Sequence, residues 1–240
     1  MRRFITIILL ILLATGIFTS CGNVTEALAG FDKSKIDDGL KAGNTKFAFS
    51  LLKQINSEDS GINVFISPLS ISTALTMTYQ GAVGTTREAM AKALELSGLD
   101  NEVLNESCKN LLRYLKQADS KLQLDINNSI WIREGKPVKK DFLDINKSIF
   151  DAYVTNLDFS EAGAADTVNK WIDGSTKGKI TKMIDPPIPS DIVMYLINAI
   201  YFKGVWTDKF DKSQTFASKF NSEDGKASDI IGICTGRLGI

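Results

Sequence analysis

The run Ile192 to Phe202, "IVMYLINAIYF", is apolar throughout except at Asn198. A strand with one wet face alternates polar and apolar residues, so a continuous run of this kind suits a central strand covered on both faces. Such a strand needs a broad sheet around it and a layer of structure on each side. It also leaves one question. A polar group buried without a partner costs about 1–3 kcal/mol by mutational data, so the amide of Asn198 must have something to bond.

A second stretch raises the same question from the other side. In "NVFISPLSIS", Asn63 to Ser72, Val64, Phe65 and Ile66 read as a buried strand, and Leu69 and Ile71 continue the apolar pattern. Ser67, Pro68 and Ser70 interrupt it. Proline is tolerated in a helix's first turn, where its missing N–H is no loss. Pro68 therefore opens a helix through "LSISTALTMTYQGA", with Leu69, Thr73, Met77 and Gln80 on one side and Ser67 as its cap.

The rest of the chain supplies the layers. Asn44 can cap a helix whose face carries Phe47, Ala48, Leu51, Leu52 and Ile55. Thr85 and Glu88 have capping-box spacing before Ala89, Met90, Ala93 and Leu94. A further helix covers Leu104 to Leu115. From Lys121 to Arg133 the period becomes two: Leu122, Leu124, Ile126, Ile130 and Ile132 alternate with Gln123, Asp125, Asn127, Ser129 and Trp131, which predicts a long strand with one wetter face. Asp141 to Phe150 reads as helix, Ala152 to Phe159 as strand, and Ala164 to Thr176 as helix. Helices against a large sheet make the fold α+β.

Composition removes whole classes of function. The 240 residues include 28 basic and 28 acidic side chains and no histidine. No basic excess points to nucleic acid. Without histidine there is neither Ser-His-Asp nor Cys-His catalysis, nor histidine ligation of a metal. The chain shows no nucleophile motif or metal-ligand spacing, and the glycines of "GAVGTT" follow a helix and not a strand, unlike a phosphate loop. The expectation is a protein that is not an enzyme and takes no cofactor.

The N-terminus reads as an export signal. Arg2 and Arg3 precede the apolar run Phe4 to Phe18, too short to span a bilayer comfortably, with Thr19 and Ser20 before Cys21. "FTSCGN" resembles a bacterial lipoprotein processing site, which makes Cys21 the lipidated residue and residues 1–20 the signal peptide. A plain signal peptide or an N-terminal membrane anchor are the alternatives. Residues 21–43, polar and dotted with glycine, read as a flexible tether. Cys108 and Cys234 can be read as a disulfide pair or as two separate thiols.

Three segments together, "NVFISPLSISTALTMTYQGAVGTTREAM", "VNKWIDGSTKGKI" and "LINAIYFKGVW", resemble the serpins, the serine-protease-inhibitor fold, in order and rough spacing. The resemblance spans residues 44–230 and implies the N-terminal part of a serpin domain: helices packed on a large mixed or antiparallel sheet, incomplete at the C-terminus. It assigns Ser67, Pro68, Ser70 and Asn198 to the shutter, the hydrogen-bonded region beneath the sheet that opens when the sheet expands. A static helix cap is the blander account of the same serines. Trp206 matches the breach, where an inserting strand first enters; core packing is its blander account. The helix from Ala164 matches the one lying across the sheet's front face.

The resemblance implies a suicide-substrate inhibitor. A C-terminal bait loop is cleaved by a serine endopeptidase (or a cysteine endopeptidase), stays covalently attached, and inserts as a new strand beside the third strand of the sheet. The partners implied are such an endopeptidase and, through Cys21, a membrane, with an exported, cell-envelope location. The departure lies at the end. After "FNSEDGKASDI" the chain reads "IGICTGRLGI", unlike serpin sequence, so residues 231–240 read as an atypical tail. The bait loop, the fifth strand and the shutter histidine are then expected to be missing, and this chain inactive as an inhibitor on its own. The alternative is a non-inhibitory binding or structural lipoprotein on the same scaffold.

Overall fold

The computed structural model describes residues 31–58, 61, 63–222 and 225–232. The signal segment, Cys21 and Cys234 lie outside them. Among the described residues the α-helices are α1 (Asp38–Glu58), α2 (Pro68–Tyr79), α3 (Gly84–Ala93), α4 (Asn101–Gln117), α5 (Lys140–Phe150) and α6 (Ala164–Ser175). The strands are β1 (Gln123–Arg133), β2 (Tyr153–Leu157), β3 (Met194–Lys203), β4 (Phe216–Asn221) and β5 (Ala227–Gly232). The chain divides into two units, one running to Ala118 and from Leu124 to Tyr201, the other comprising Asp119–Gln123 and the segment from Phe202 onward.

In the first unit the sheet has the order β2-β1-β3. β1 and β2 are parallel, with Ser129 opposite Tyr153 and Arg133 opposite Leu157. β1 and β3 run antiparallel: the Arg133 amide donates to the Val193 carbonyl at 2.9 Å, while Asn128 meets Asn198, so positions fall along one strand as they rise along the other. Side-chain parity then separates two cores. Ile126, Ile130 and Ile132 from β1, with Met194, Leu196 and Ile200 from β3, join the cluster beneath α1, α2, α4 and α5. Trp131 from β1, with Tyr195 and Ile197 from β3, joins Val168 and Ile172 of α6 on the opposite face.

Several expectations change here. The first long helix begins at Asp38, before Asn44, because Leu40 is buried and Gly43 lies so close to the Glu95 carbonyl that a Cβ would sit 2.5 Å from it. The segment read as a tether thus ends inside the fold. Val64 to Ile66 form no strand; Phe65 is fully exposed, and no described strand lies beside it to supply a ladder. Thr85 does not cap α3: Val83 holds that position without a side-chain bond, and no residue within the helix is fully buried. The face of β1 expected to be wetter is so only in its first part: Gln123 is exposed and Asp125 and Asn127 half-buried, whereas Ser129 and Trp131 are buried, Trp131 against α6. β3 is covered on both faces as its sequence demands, yet it lies at the sheet's edge among the described residues and most of it is only half-buried.

The second unit contains β4 and β5, an antiparallel hairpin with Phe216 opposite Gly232 and Asn221 opposite Ala227. Ile231 and Gly232, read as the start of the tail, are the last two residues of β5. No helix among the described residues is long and apolar enough to cross a membrane.

Candidate functional site: a polar relay beneath the sheet

The serines of the interrupted stretch are placed by the start of α2. Ser67 sits at the N-cap in an extended conformation, and Pro68 occupies the first helical turn. The Ser70 amide donates to the Ser67 hydroxyl at 3.4 Å, a long bond. That hydroxyl is therefore a cap at the surface, and it belongs to the helix terminus and not to the sheet.

Ser70, one turn further, points to the sheet. Its hydroxyl donates to Asn198 Oδ1 on β3. Asn198 Nδ2 donates onward to Asn128 Oδ1 on β1 at 2.6 Å, and Asn128 Nδ2 donates to the Phe150 carbonyl at 2.6 Å. Phe150 is the last residue of α5, where a helix leaves carbonyls without intrahelical partners. The relay therefore runs from α2 across β3 and β1 into the end of α5, each donor pointing the same way. Bonds aligned in this manner polarise one another and strengthen in a low-dielectric interior. Both Asn128 and the Phe150 side chain are buried.

Asn198 lies on the parity that faces α2, so its amide meets Ser70 and Asn128 instead of hydrocarbon. Ser70, Asn198 and Asn128 contain no group that titrates between acid and alkali. Protonation does not gate this contact; displacement of a strand would. What the arrangement can do chemically is exchange partners, not transfer a proton or attack a carbonyl.

Asn128 is the residue the sequence reading passed over. The signal was present: it shares parity with Ile126 and Ile130, an amide in an otherwise apolar register. Asn127 and Ser129 on either side disguised it.

Trp206 belongs to the second unit, is about 70 % exposed, and packs edge-on against Phe210 with centroids 5.6 Å apart. Cys108 is buried in the larger core, and burial pushes its thiol up to about 12 from an ordinary value of 9.0.

Around the segment from α6 to β3, side chains fasten backbone. Asn169 accepts from the Met183 and Ile184 amides, each at 2.9 Å, and donates to the Ile184 carbonyl at 2.8 Å. Arg133 at the end of β1 donates to the carbonyls of Ile192 (2.7 Å) and Pro189 (2.6 Å), its guanidinium 5.0 Å from the Phe159 ring centroid. The segment between α6 and β3 is thus fastened to α6 at Met183 and Ile184 and to β1 at Pro189 and Ile192. No cluster of metal-ligating side chains occurs among the described residues.

A family model described as "Serpin (serine protease inhibitor)" matches residues 42–231. An uncharacterized serpin-like protein of Methanosarcina acetivorans is 32% identical over 238 residues, covering 94% of this chain and 56% of the relative. Human alpha-1-antichymotrypsin is 35% identical over 188 residues, 77% of this chain and 44% of that protein. Among solved structures, the thermophilic serpin tengpin in its latent state aligns with a TM-score of 0.71 and 32% identity, over 82% of this chain and 52% of the other. Cleaved kallistatin complexed with heparin gives 0.72 and 26%, over 79% and 56%. The chain spans about half the length of the curated relatives it matches.

Proposed function

From the chain's membership of the serpin family, we propose that it is the sheet-opening half of a suicide-substrate inhibitor of serine endopeptidases. The observation that carries the reading is the relay from Ser70 through Asn198 and Asn128 to Phe150. A sheet that must admit a strand beside β3 has to let β3 shift without leaving buried amides orphaned. A chain of neutral hydrogen bonds re-pairs at little net cost, about 0.5–1.5 kcal/mol per bond, whereas interdigitated hydrocarbon resists partial opening. Ser67 and Pro68 fix the first turn of α2 so that Ser70 faces the strand. In this reading Ser67, Pro68, Ser70 and Asn198 are the shutter, Asn128 belongs with them, and Trp206 serves the strand's entry point.

Among the described residues β3 has an unpaired edge, the geometry that strand addition uses. The inhibitory act itself belongs to a protein that also holds a bait loop. The nucleophile is the protease's: its serine attacks the bait bond, the new N-terminus leaves, and the acyl bond is retained as the loop inserts. Driving force comes from escape out of a metastable fold, not from turnover.

The test is incubation of a longer protein containing this chain and the C-terminal half that its relatives possess with a panel of serine proteases, resolved on a denaturing gel. An adduct stable to denaturant, abolished when the protease serine is blocked, is expected. Complete proteolysis without adduct across the panel overturns the reading and favours the non-inhibitory scaffold.

For location, the proposal is attachment to the cell envelope through lipid at Cys21. Its support is the run Phe4 to Phe18 ahead of "FTSCGN". Cys21→Ser is expected to move the protein from the membrane fraction to the soluble fraction; an unchanged distribution overturns it.

A further inference from the structure

One cavity of the first unit lies away from the relay. It measures about 400 Å³ and is walled by the turn after α2, one side of α3, the loop leading into α5, and the first residue of β3. That volume lies within the range of small-molecule sites, which are typically apolar with a few placed polar groups. Ala82, Met90, Val138, Phe142 and Met194 supply the hydrocarbon. Gly81 lets the Phe142 ring close in, since a Cβ there would lie 2.9 Å from it.

Three features select the occupant. Lys139 is the sole charged residue of the lining, and no acid accompanies it. Lys139 is also the N-cap of α5, and no side chain caps that helix, so an ammonium and the uncapped backbone donors of a helix start accompany the cavity wall. At Thr86 and Met90 the cavity joins a shallow apolar strip along α3 over Ala89 and Ala93. The space is therefore extended along α3 and mostly apolar, with a single positive charge on its wall. Its charge and shape complement a carboxylate on a flexible hydrocarbon tail. We propose that this cavity binds a free long-chain carboxylic acid, with the carboxylate at Lys139 and the chain lying over Met90 toward α3. Such a ligand would touch the end of α2 and the start of β3, the two elements joined by the Ser70–Asn198 bond.

The probe is dodecanoate, titrated into the full chain carrying ¹³C-methyl methionine and kept below its micellar concentration. Met90 and Met194 methyl resonances are expected to shift saturably. Met77, fully buried and not part of the lining, and Met183, exposed on the segment after α6, are expected to stay in place. Dodecanol, with the same chain and no charge, should bind at least about five-fold more weakly, as should dodecanoate to Lys139→Gln, the scale of one partly exposed ion pair. Thr86→Phe, at an exposed helix position, narrows the trough and should also weaken binding. The proposal is overturned by the absence of shifts at Met90 and Met194, by shifts of all four methyls together, or by equal affinity for acid and alcohol.

Discussion

β1 and β3 lie side by side, and the more apolar of the two is the less buried. β1 contains Asp125, Asn127, Asn128 and Ser129, yet from Asn128 to Ile132 every residue is buried. β3 is almost pure hydrocarbon, yet only Ala199 is fully buried and Phe202 is about 63 % exposed. The difference is neighbours. β1 has a strand on each side and a layer on each face, whereas β3 has both layers and, among the described residues, one strand. Hydropathy states what a segment needs, and topology decides what it receives.

Substitutions on the face beneath α6 break or sharpen that contrast most strongly. Trp131→Ala removes a ring buried against Trp171 and Tyr153, and should cost about 3–5 kcal/mol in urea unfolding. Tyr195→Ala, at half-buried β3 on the same face, should cost roughly half as much or less. Equal losses would mean that β3 is as enclosed as β1.

The relay tests whether the two strands act together. Asn198→Leu or Asn128→Leu each leaves a buried partner unpaired and should cost about 1–3 kcal/mol. A double-mutant cycle should show a coupling of roughly 0.5–3 kcal/mol. Strict additivity would separate them.

This part of the molecule shows what a sequence can and cannot disclose. Asn198 was legible because a single amide stood in hydrocarbon. Asn128 was not, because its polar neighbours made an inward residue look like part of a wet face. Trp131 was assigned to that wet face for the same reason, since the helix covering it is separated from it by more than thirty positions. Val64 to Ile66 read as a strand on local chemistry alone, and a ladder needs a partner that local chemistry cannot name. The helices were readable as elements, because their hydrogen bonds close within one turn, although α1 starts at Asp38, well before Asn44. The cap at Ser67 followed from Pro68; the capping box at Thr85 failed because α3 starts two residues earlier, at Gly84 after Val83.

Hydrogen exchange offers a finer comparison. β1 amides should be protected throughout its centre, while those of β3 that point away from β1 should exchange markedly faster. Uniform protection along β3 would mean that its outer edge is covered.

The smallest effect concerns Cys108, in the core under the even-numbered face. Burial raises its folded pKa to about 12 from 9.0, so the thiol stays protonated in the native state. Its contribution to stability is complete below pH 9 and is lost as pH rises from there toward 12, where the unfolded thiol ionises first. In a Cys21→Ser, Cys234→Ser background, alkylation at pH 8 should follow the unfolding curve; rapid modification of the native protein would contradict the burial.

The parity of β3 has a mechanical consequence. Its successive side chains are held alternately by two separate cores, Met194 and Leu196 by one, Tyr195 and Ile197 by the other. A slip of one residue would thrust each into the wrong chamber. Only even slips preserve the fit, so any travel along its own axis proceeds in strides of about 6.6–6.8 Å, like a rack whose teeth mesh with two combs at once.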